Sequence, residues 1–317
     1  MRLLIIGAAG MLGAVISRAA LRQGHEVHGL LRPTSDDRRL ADLHQGVLTH
    51  RIEPADYQAL ISLIERLSPN AIVHAAFPTG VAAGYEARAR TLHDGLSTTL
   101  CLLDALRTVS FDGSFVYLGS AMSYGREARP SHPSDPMKPI TFRGVVKAAE
   151  SLMISQFGQD SRCIVTELRV FTAFGPWQQR ERFLPRLLIA ALTDSRVQLT
   201  ATPHFRDWIY VDDIAEACLQ ACRRTVPGAA VFNVCSGQLK SNHELARAVE
   251  TMTRRQLIDE TPYPASGLYG ISGPVGALPP PAEGFSWQPH YDLLSGLAAT
   301  WDWANSPSGR AYLLSRA

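Results

Sequence analysis

Apolar residues follow two alternating rhythms through the first half of the chain. Short apolar runs at Arg2–Ile6, His25–Leu30, Val47–His50, Ala71–His74, Ser114–Leu118 and Ile164–Arg169 predict strands. Between them, Met11–Gln23, Tyr57–Leu67, Thr91–Thr108 and Gly144–Phe157 return apolar positions every three or four residues, the helical period. Strand and helix in strict alternation predict an α/β fold, a doubly wound parallel sheet with helices on both faces. Right-handed crossovers would bring the strand C-terminal ends, and any ligand, to one edge.

Beyond residue 171 the pattern loosens. Phe171–Arg196 reads as loop then helix, Asp212–Arg224 as a helix with an acidic start, Val231–Val234 as a strand and His243–Arg254 as a helix. Residues 264–284 are rich in glycine and proline. They read either as a surface connection or as a flap over a cleft.

The turn after the first strand carries the first chemistry. Ile6 is followed by Gly7-Ala8-Ala9-Gly10-Met11-Leu12-Gly13. Gly7 would allow the tight turn, Gly10 a close approach of backbone to phosphate, and Gly13 close packing of helix on strand. The helix N-terminus at Met11 and Leu12 would attract a pyrophosphate. A dinucleotide cofactor is the expectation, with a plain strand–turn–helix connection as the alternative.

Composition narrows the classes. The 317 residues are 46% hydrophobic and 19% charged, with a net charge of +2, so no general nucleic-acid footprint is present. The five cysteines, at 101, 163, 218, 222 and 235, follow no metal-ligand spacing. They suit a reducing, cytoplasmic setting. No apolar stretch approaches a membrane span, and the first apolar run is too short for a secretory leader.

Several segments together resemble the extended short-chain dehydrogenase/reductase family, which contains nucleotide-sugar epimerases, dehydratases and reductases. They are the G-x-x-G-x-x-G turn, Val73-His74-Ala75-Ala76, Phe115 to Gly125 with Ser120, Leu168 to Pro176, Arg206 to Ala215, Phe232-Asn233-Val234 and Phe285 to Pro289. The order is kept across nearly the whole chain. The resemblance implies a Rossmann-like dinucleotide-binding domain over residues 1–170 and a smaller, mainly substrate-binding region over 171–317, with about 205–240 returning to the core. It places Ala75 and Ala76 beneath the cofactor, and Phe171 and Arg206 on the substrate side. Relatives also suggest a homodimer through the helices at Thr91–Thr108 and Gly144–Phe157.

The second strand ends in Leu31 and Arg32, where an NAD-selective site usually places a carboxylate. An arginine can pair with a 2′-phosphate, which favours NADP(H) over NAD(H). The family's chemistry uses a serine, a tyrosine and a lysine four residues after the tyrosine. Ser120 and Lys147 stand at the matching positions, but the tyrosine's place is taken by Arg143, and residues 139–147 contain no tyrosine. Arginine is a poor proton donor and a good electrostatic clamp. The expected activity is therefore NADPH-dependent reduction of a nucleotide-activated ketosugar or similar polar ketone, with Ser120, Arg143 and Lys147 in the site. The alternatives are an epimerase or dehydratase with an unusual acid–base group, and a non-catalytic NADP(H)-binding regulator. No metal is expected.

Overall fold

The computed structural model describes residues 1–78, 84–126, 129–263, 272–281 and 284–315. The first half alternates as β1 (Arg2–Ile6), α1 (Met11–Arg22), β2 (Glu26–Leu31), β3 (Val47–Arg51), α2 (Tyr57–Leu67), β4 (Ala71–His74), α3 (Gly84–Thr108), β5 (Ser114–Ser120), α4 (Phe142–Asp160) and β6 (Ile164–Val170). Short 3₁₀ turns at Arg38–Leu43 and Ala121–Ser123 interrupt the connections after β2 and β5. Helix starts are capped by side chains where the sequence supplies them. The Asp56 carboxylate accepts from the Ala59 N–H at 3.1 Å, and the Thr141 hydroxyl accepts from the Gly144 N–H at 3.0 Å.

The second half continues as β7 (Thr172–Phe174), α5 (Phe183–Thr193), β8 (Val197–Thr200), β9 (Phe205–Tyr210), α6 (Val211–Cys222), β10 (Gly228–Val234), β11 (Leu239–Ser241), α7 (Asn242–Thr253), β12 (Ile258–Tyr263), α8 (Leu293–Asn305) and α9 (Pro307–Leu314). The central sheet has seven strands in the order β10-β6-β5-β4-β1-β2-β3, every neighbouring pair parallel. The chain leaves this sheet after β6 and returns to it through α6, which packs on α1, and β10. Smaller sheets, β11-β9-β7 and β12-β8, complete the second half.

Residues alternate between the two faces of the central sheet. Leu3, Ile5, Val73 and Val116 enter the core on one side; Leu4, Ile6, Ile72 and Phe115 enter that on the other. Strand order reverses between β1 and β4, so the crevice beyond their C-terminal ends is where ligands bind in such sheets.

Of the glycine- and proline-rich stretch, residues 264–271, 282 and 283 lie outside the described residues. Residues 272–277 do not form a loose flap, because hydrogen bonds strap them to the body. The Gly273 N–H donates to the Phe205 carbonyl, the Gly276 N–H to Asp207, and Ser131 exchanges bonds with Val275 and Ala277. Among the described residues no helix is long and apolar enough to cross a membrane.

Candidate active site

The glycine turn lies at the β1/β4 crevice. Gly7 has φ +86°, and a Cβ there would come within 2.7 Å of the Ala76 Cα, so the turn and the end of β4 are in contact. A Cβ on Gly13 would overlap the Gly7 carbonyl oxygen, which fixes the closeness of α1 to β1. Gly10 differs. A Cβ there would meet only the Gly7 oxygen, at 3.2 Å, so internal packing demands glycine less at this position. Helix α1 starts at Gly10 with no side-chain cap and no acidic residue in its first turn. Uncapped N–H groups at a positive helix end, next to a residue without a side chain, suit a pyrophosphate.

Beyond β2, Leu31 is buried and Arg32 exposed. Arg51 organises this corner by donating to the Pro33 and Ser35 carbonyls at 3.2 and 3.1 Å and pairing with Asp37 at 2.6 Å. Arg38 pairs with Asp36 at 2.5 Å. The Arg32 guanidinium makes no hydrogen bond or ion pair among the described residues. Asp56 serves as a helix cap, and Glu53 is exposed.

Ser120 ends β5. Its hydroxyl accepts from the Met122 N–H at 3.2 Å, which leaves its own proton for a ligand. Gly144, without a side chain, lets the start of α4 close on the Met122 carbonyl, two residues beyond Ser120. Arg143 and Lys147 share one face of α4. The Arg143 Cζ lies 4.4 Å from the Phe77 ring centroid and the Lys147 Nζ 4.3 Å from it. Arg143 is half-buried and has no carboxylate partner among the described residues. Burial, and then the like charge of Arg182, lower its pKa to about 10. It also occupies the first turn of α4, where the helix dipole disfavours a cation.

Lys147 is buried. Three acceptors surround its Nζ: the Glu150 carboxylate at 3.0 Å, the Tyr117 hydroxyl at 3.1 Å and the Leu118 carbonyl at 3.2 Å. Its pKa is lowered by burial, with Glu150 opposing. Glu150 in turn accepts from Tyr117 at 2.7 Å and Thr99 at 3.0 Å, and the Thr99 hydroxyl lies 3.0 Å from His74 Nε2.

Three side chains of suitable chemistry are closed off from the cleft. Tyr117 is fully buried, and burial and Glu150 raise its pKa well above normal. Tyr124 donates to Asn233 at 2.7 Å, and burial pushes its pKa to about 12. Burial holds His74 neutral, with its pKa lowered to about 4. Phe171 is buried, with its ring 6.4 Å from that of Tyr124 and its edge against Gly276. Arg206 does not pair with Asp207. The Asp207 carboxylate accepts instead from the N–H groups of Ser236, Gly237 and Gly276 and from the Ser236 hydroxyl. Arg206 donates to the Phe205 carbonyl, and burial, then Arg126, lower its pKa.

A family model described as the NAD dependent epimerase/dehydratase family matches residues 3–235. The chain belongs to this family. The resemblance to extended short-chain dehydrogenases/reductases therefore holds, and with it the reading of the chain as an enzyme of that type. The chain is 29% identical over 266 residues to GDP-6-deoxy-D-mannose reductase of Pseudomonas aeruginosa, covering 81% of each. It is 26% identical over 323 residues to dTDP-glucose 4,6-dehydratase of Mycobacterium tuberculosis, covering 96% of this chain and 93% of that one. Among solved structures it resembles Thermus thermophilus UDP-glucose 4-epimerase in complex with NAD, with TM-score 0.81, 25% identity, and coverage of 95% of this chain and 98% of that one.

Within this epimerase/dehydratase member, Glu150 and Phe77 were missed as site residues. Glu150 carried a signal, since it follows Lys147 by three positions and so shares its helix face. Phe77 follows the Val73 to Ala76 segment directly and had no distinguishing pattern of its own.

Proposed function

We propose that the chain reduces a ketone on a nucleotide-activated sugar with NADPH. The observation that carries this reading is Arg143. It is a half-buried guanidinium without a carboxylate partner among the described residues, over the Phe77 ring that it shares with Lys147, at the position where the family resemblance calls for a tyrosine.

The glycine turn, Met11 and Leu12 would hold the pyrophosphate, Ala75 and Ala76 would flank it, and Arg32 would pair with the 2′-phosphate. Lys147 would set a positive charge beside the nicotinamide ribose; its three donors are already engaged within the chain. When bound, the reduced nicotinamide supplies the hydride. The Ser120 hydroxyl donates to the carbonyl oxygen, and Arg143 stabilises the negative charge that develops there. With Tyr117, Tyr124 and His74 enclosed, the proton reaches that oxygen from water. Arg206, unpaired with Asp207, is available for the nucleotide diphosphate.

The likeness to a 4-epimerase in complex with NAD supports a second reading, epimerisation or dehydration with retained NAD. That route starts by oxidising a hydroxyl and needs a base where Arg143 stands. The test is to mix the protein with NADPH and nucleoside-diphosphate-linked ketosugars and follow nicotinamide absorbance. Stoichiometric loss of NADPH with a reduced sugar product supports reduction. Purification with tightly bound NAD, and sugar isomerisation without net NADPH loss, overturns it.

A further inference from the structure

We propose that Arg39 is a positioning residue of the cofactor cradle, locking the glycine turn to Trp177 and to the C-terminal helix α9. The proposal rests on the dinucleotide half of the functional reading and not on the direction of hydride transfer.

Arg39 lies in the 3₁₀ turn after β2, and its guanidinium bridges three segments distant in sequence. Nη1 donates to the Ala9 carbonyl at 3.3 Å, Nε to the Trp177 carbonyl at 2.9 Å, and Nη2 to the Tyr312 hydroxyl at 2.6 Å. Tyr312, on α9, donates that hydroxyl to the same Trp177 carbonyl at 3.1 Å. The peptide between Ala9 and Gly10 is thus pinned at both ends, because the Gly10 N–H donates to the Gly7 carbonyl at 2.9 Å. Pinning that peptide fixes the direction of the N–H groups that follow at Met11 and Leu12.

The far side of the bridge is equally built. Trp177 has φ +66°, a backbone region that bulky side chains rarely enter. Its ring packs against Trp303 and Tyr312, with centroids 5.2 and 5.3 Å away. The Arg18 guanidinium of α1 covers it at 4.5 Å. Arg18 also donates to the Arg39 carbonyl at 2.6 Å and pairs with Asp42, so the helix behind the turn holds the backbone of the bridging residue. The network's contact with the glycine turn is the bond from Arg39 to the Ala9 carbonyl.

The test titrates the full-length chain with NADPH and with NADH, without substrate, by nicotinamide fluorescence. Arg39→Met should raise Kd about tenfold for both cofactors, because the turn serves the pyrophosphate they share. Tyr312→Phe should raise both about threefold. In hydrogen exchange, NADPH should slow the amides of residues 307–314 in the native chain and leave them unchanged in Arg39→Met. A folded Arg39→Met that binds within about twofold of native overturns the proposal. So does a native α9 whose exchange ignores NADPH. If Arg39→Met does not fold, an unchanged Kd in Tyr312→Phe overturns it. If the native chain binds neither dinucleotide, the cofactor reading falls first and the link with it; normal binding with no ketosugar turnover would sink the reductase reading alone.

Discussion

Lys147 and Glu150, one helical turn apart on α4, form a 3.0 Å ion pair inside the protein. Glu150 has no exposed surface, and its other bonds come from Tyr117 and Thr99. Removing one member of such a pair strands the other as an uncompensated buried charge. Glu150→Gln should cost about 3 kcal/mol in denaturant unfolding at neutral pH. Adding Lys147→Met should restore part of that loss, because the stranded ammonium is then gone. If the single and double variants are equally stable, or simply additive, the pair is not coupled in this way.

The same network makes a prediction about acid. His74 is buried, with its pKa lowered to about 4, while in the unfolded chain it titrates near 6.5. Between those values the unfolded chain binds the extra proton, so stability is fully present above about 6.5 and falls as pH drops toward 4. A shift of that size corresponds to about 3 kcal/mol. His204, also lowered to about 4 by burial, adds to the native slope. His74→Gln should therefore reduce, without abolishing, the loss of unfolding free energy between pH 7 and 4.5. An unchanged slope would count against a neutral buried His74.

The central sheet was legible because its signal is local. β1, β4 and β5 hold compact apolar runs, β2, β3 and β6 shorter ones, and the helices between them carry their own period. Boundaries slipped where polarity hid the pattern. Helix α3 was expected from Thr91 and starts at Gly84, since its first turns are exposed and show no apolar stripe. Strand β9 was not read, because Trp208, Ile209 and Tyr210 are buried in succession rather than alternately. Its neighbours β7 and β11 have three residues each, too few for any period. The presence of Ser120, Arg143 and Lys147 could be read by position. What surrounds them could not, since Glu150, Phe77 and Arg39 meet their partners only through the fold.

Arg143 should be dispensable for stability and needed for turnover. Burial, a neighbouring cation and the helix N-terminus all disfavour its charge. Replacing it with Ala should leave unfolding free energy unchanged or raise it by about 0.5 kcal/mol. The same variant should lower kcat/KM for a ketosugar about 10²- to 10³-fold, as expected for loss of one oxyanion donor. Equal kcat/KM would remove Arg143 from the chemistry. Arg143→Tyr provides the converse test, since gain of epimerase activity would mark the site as a simple variant of the family pattern.

Gly10 and Gly13 should separate binding from folding. Gly13→Ala drives a methyl into the Gly7 carbonyl and Ala8, and should cost about 3 kcal/mol or more in unfolding experiments. Gly10→Ala meets only the Gly7 oxygen at 3.2 Å. It should fold with nearly native stability yet bind dinucleotide at least about tenfold more weakly, because its methyl stands where the phosphates approach. Normal cofactor affinity in Gly10→Ala would move the pyrophosphate elsewhere.

Cofactor preference should turn on Arg32. Around it, Arg38 is paired with Asp36, Arg51 with Asp37, and Arg39 with Tyr312 and two carbonyls. Among the described residues the Arg32 guanidinium makes no hydrogen bond or ion pair, and Arg51 stiffens the loop that presents it. A charge-assisted, bidentate pair with a 2′-phosphate contributes about 1.5–3 kcal/mol, so Arg32→Ala should weaken NADPH binding about tenfold to a hundredfold. NADH has no such phosphate, and its affinity should change little. Arg32→Glu should go further, repelling NADPH and offering the ribose hydroxyls an acceptor, so that the preference inverts. Competition titrations of the two cofactors measure this directly. Equal losses for NADPH and NADH would mean that Arg32 supports the corner without reading the phosphate.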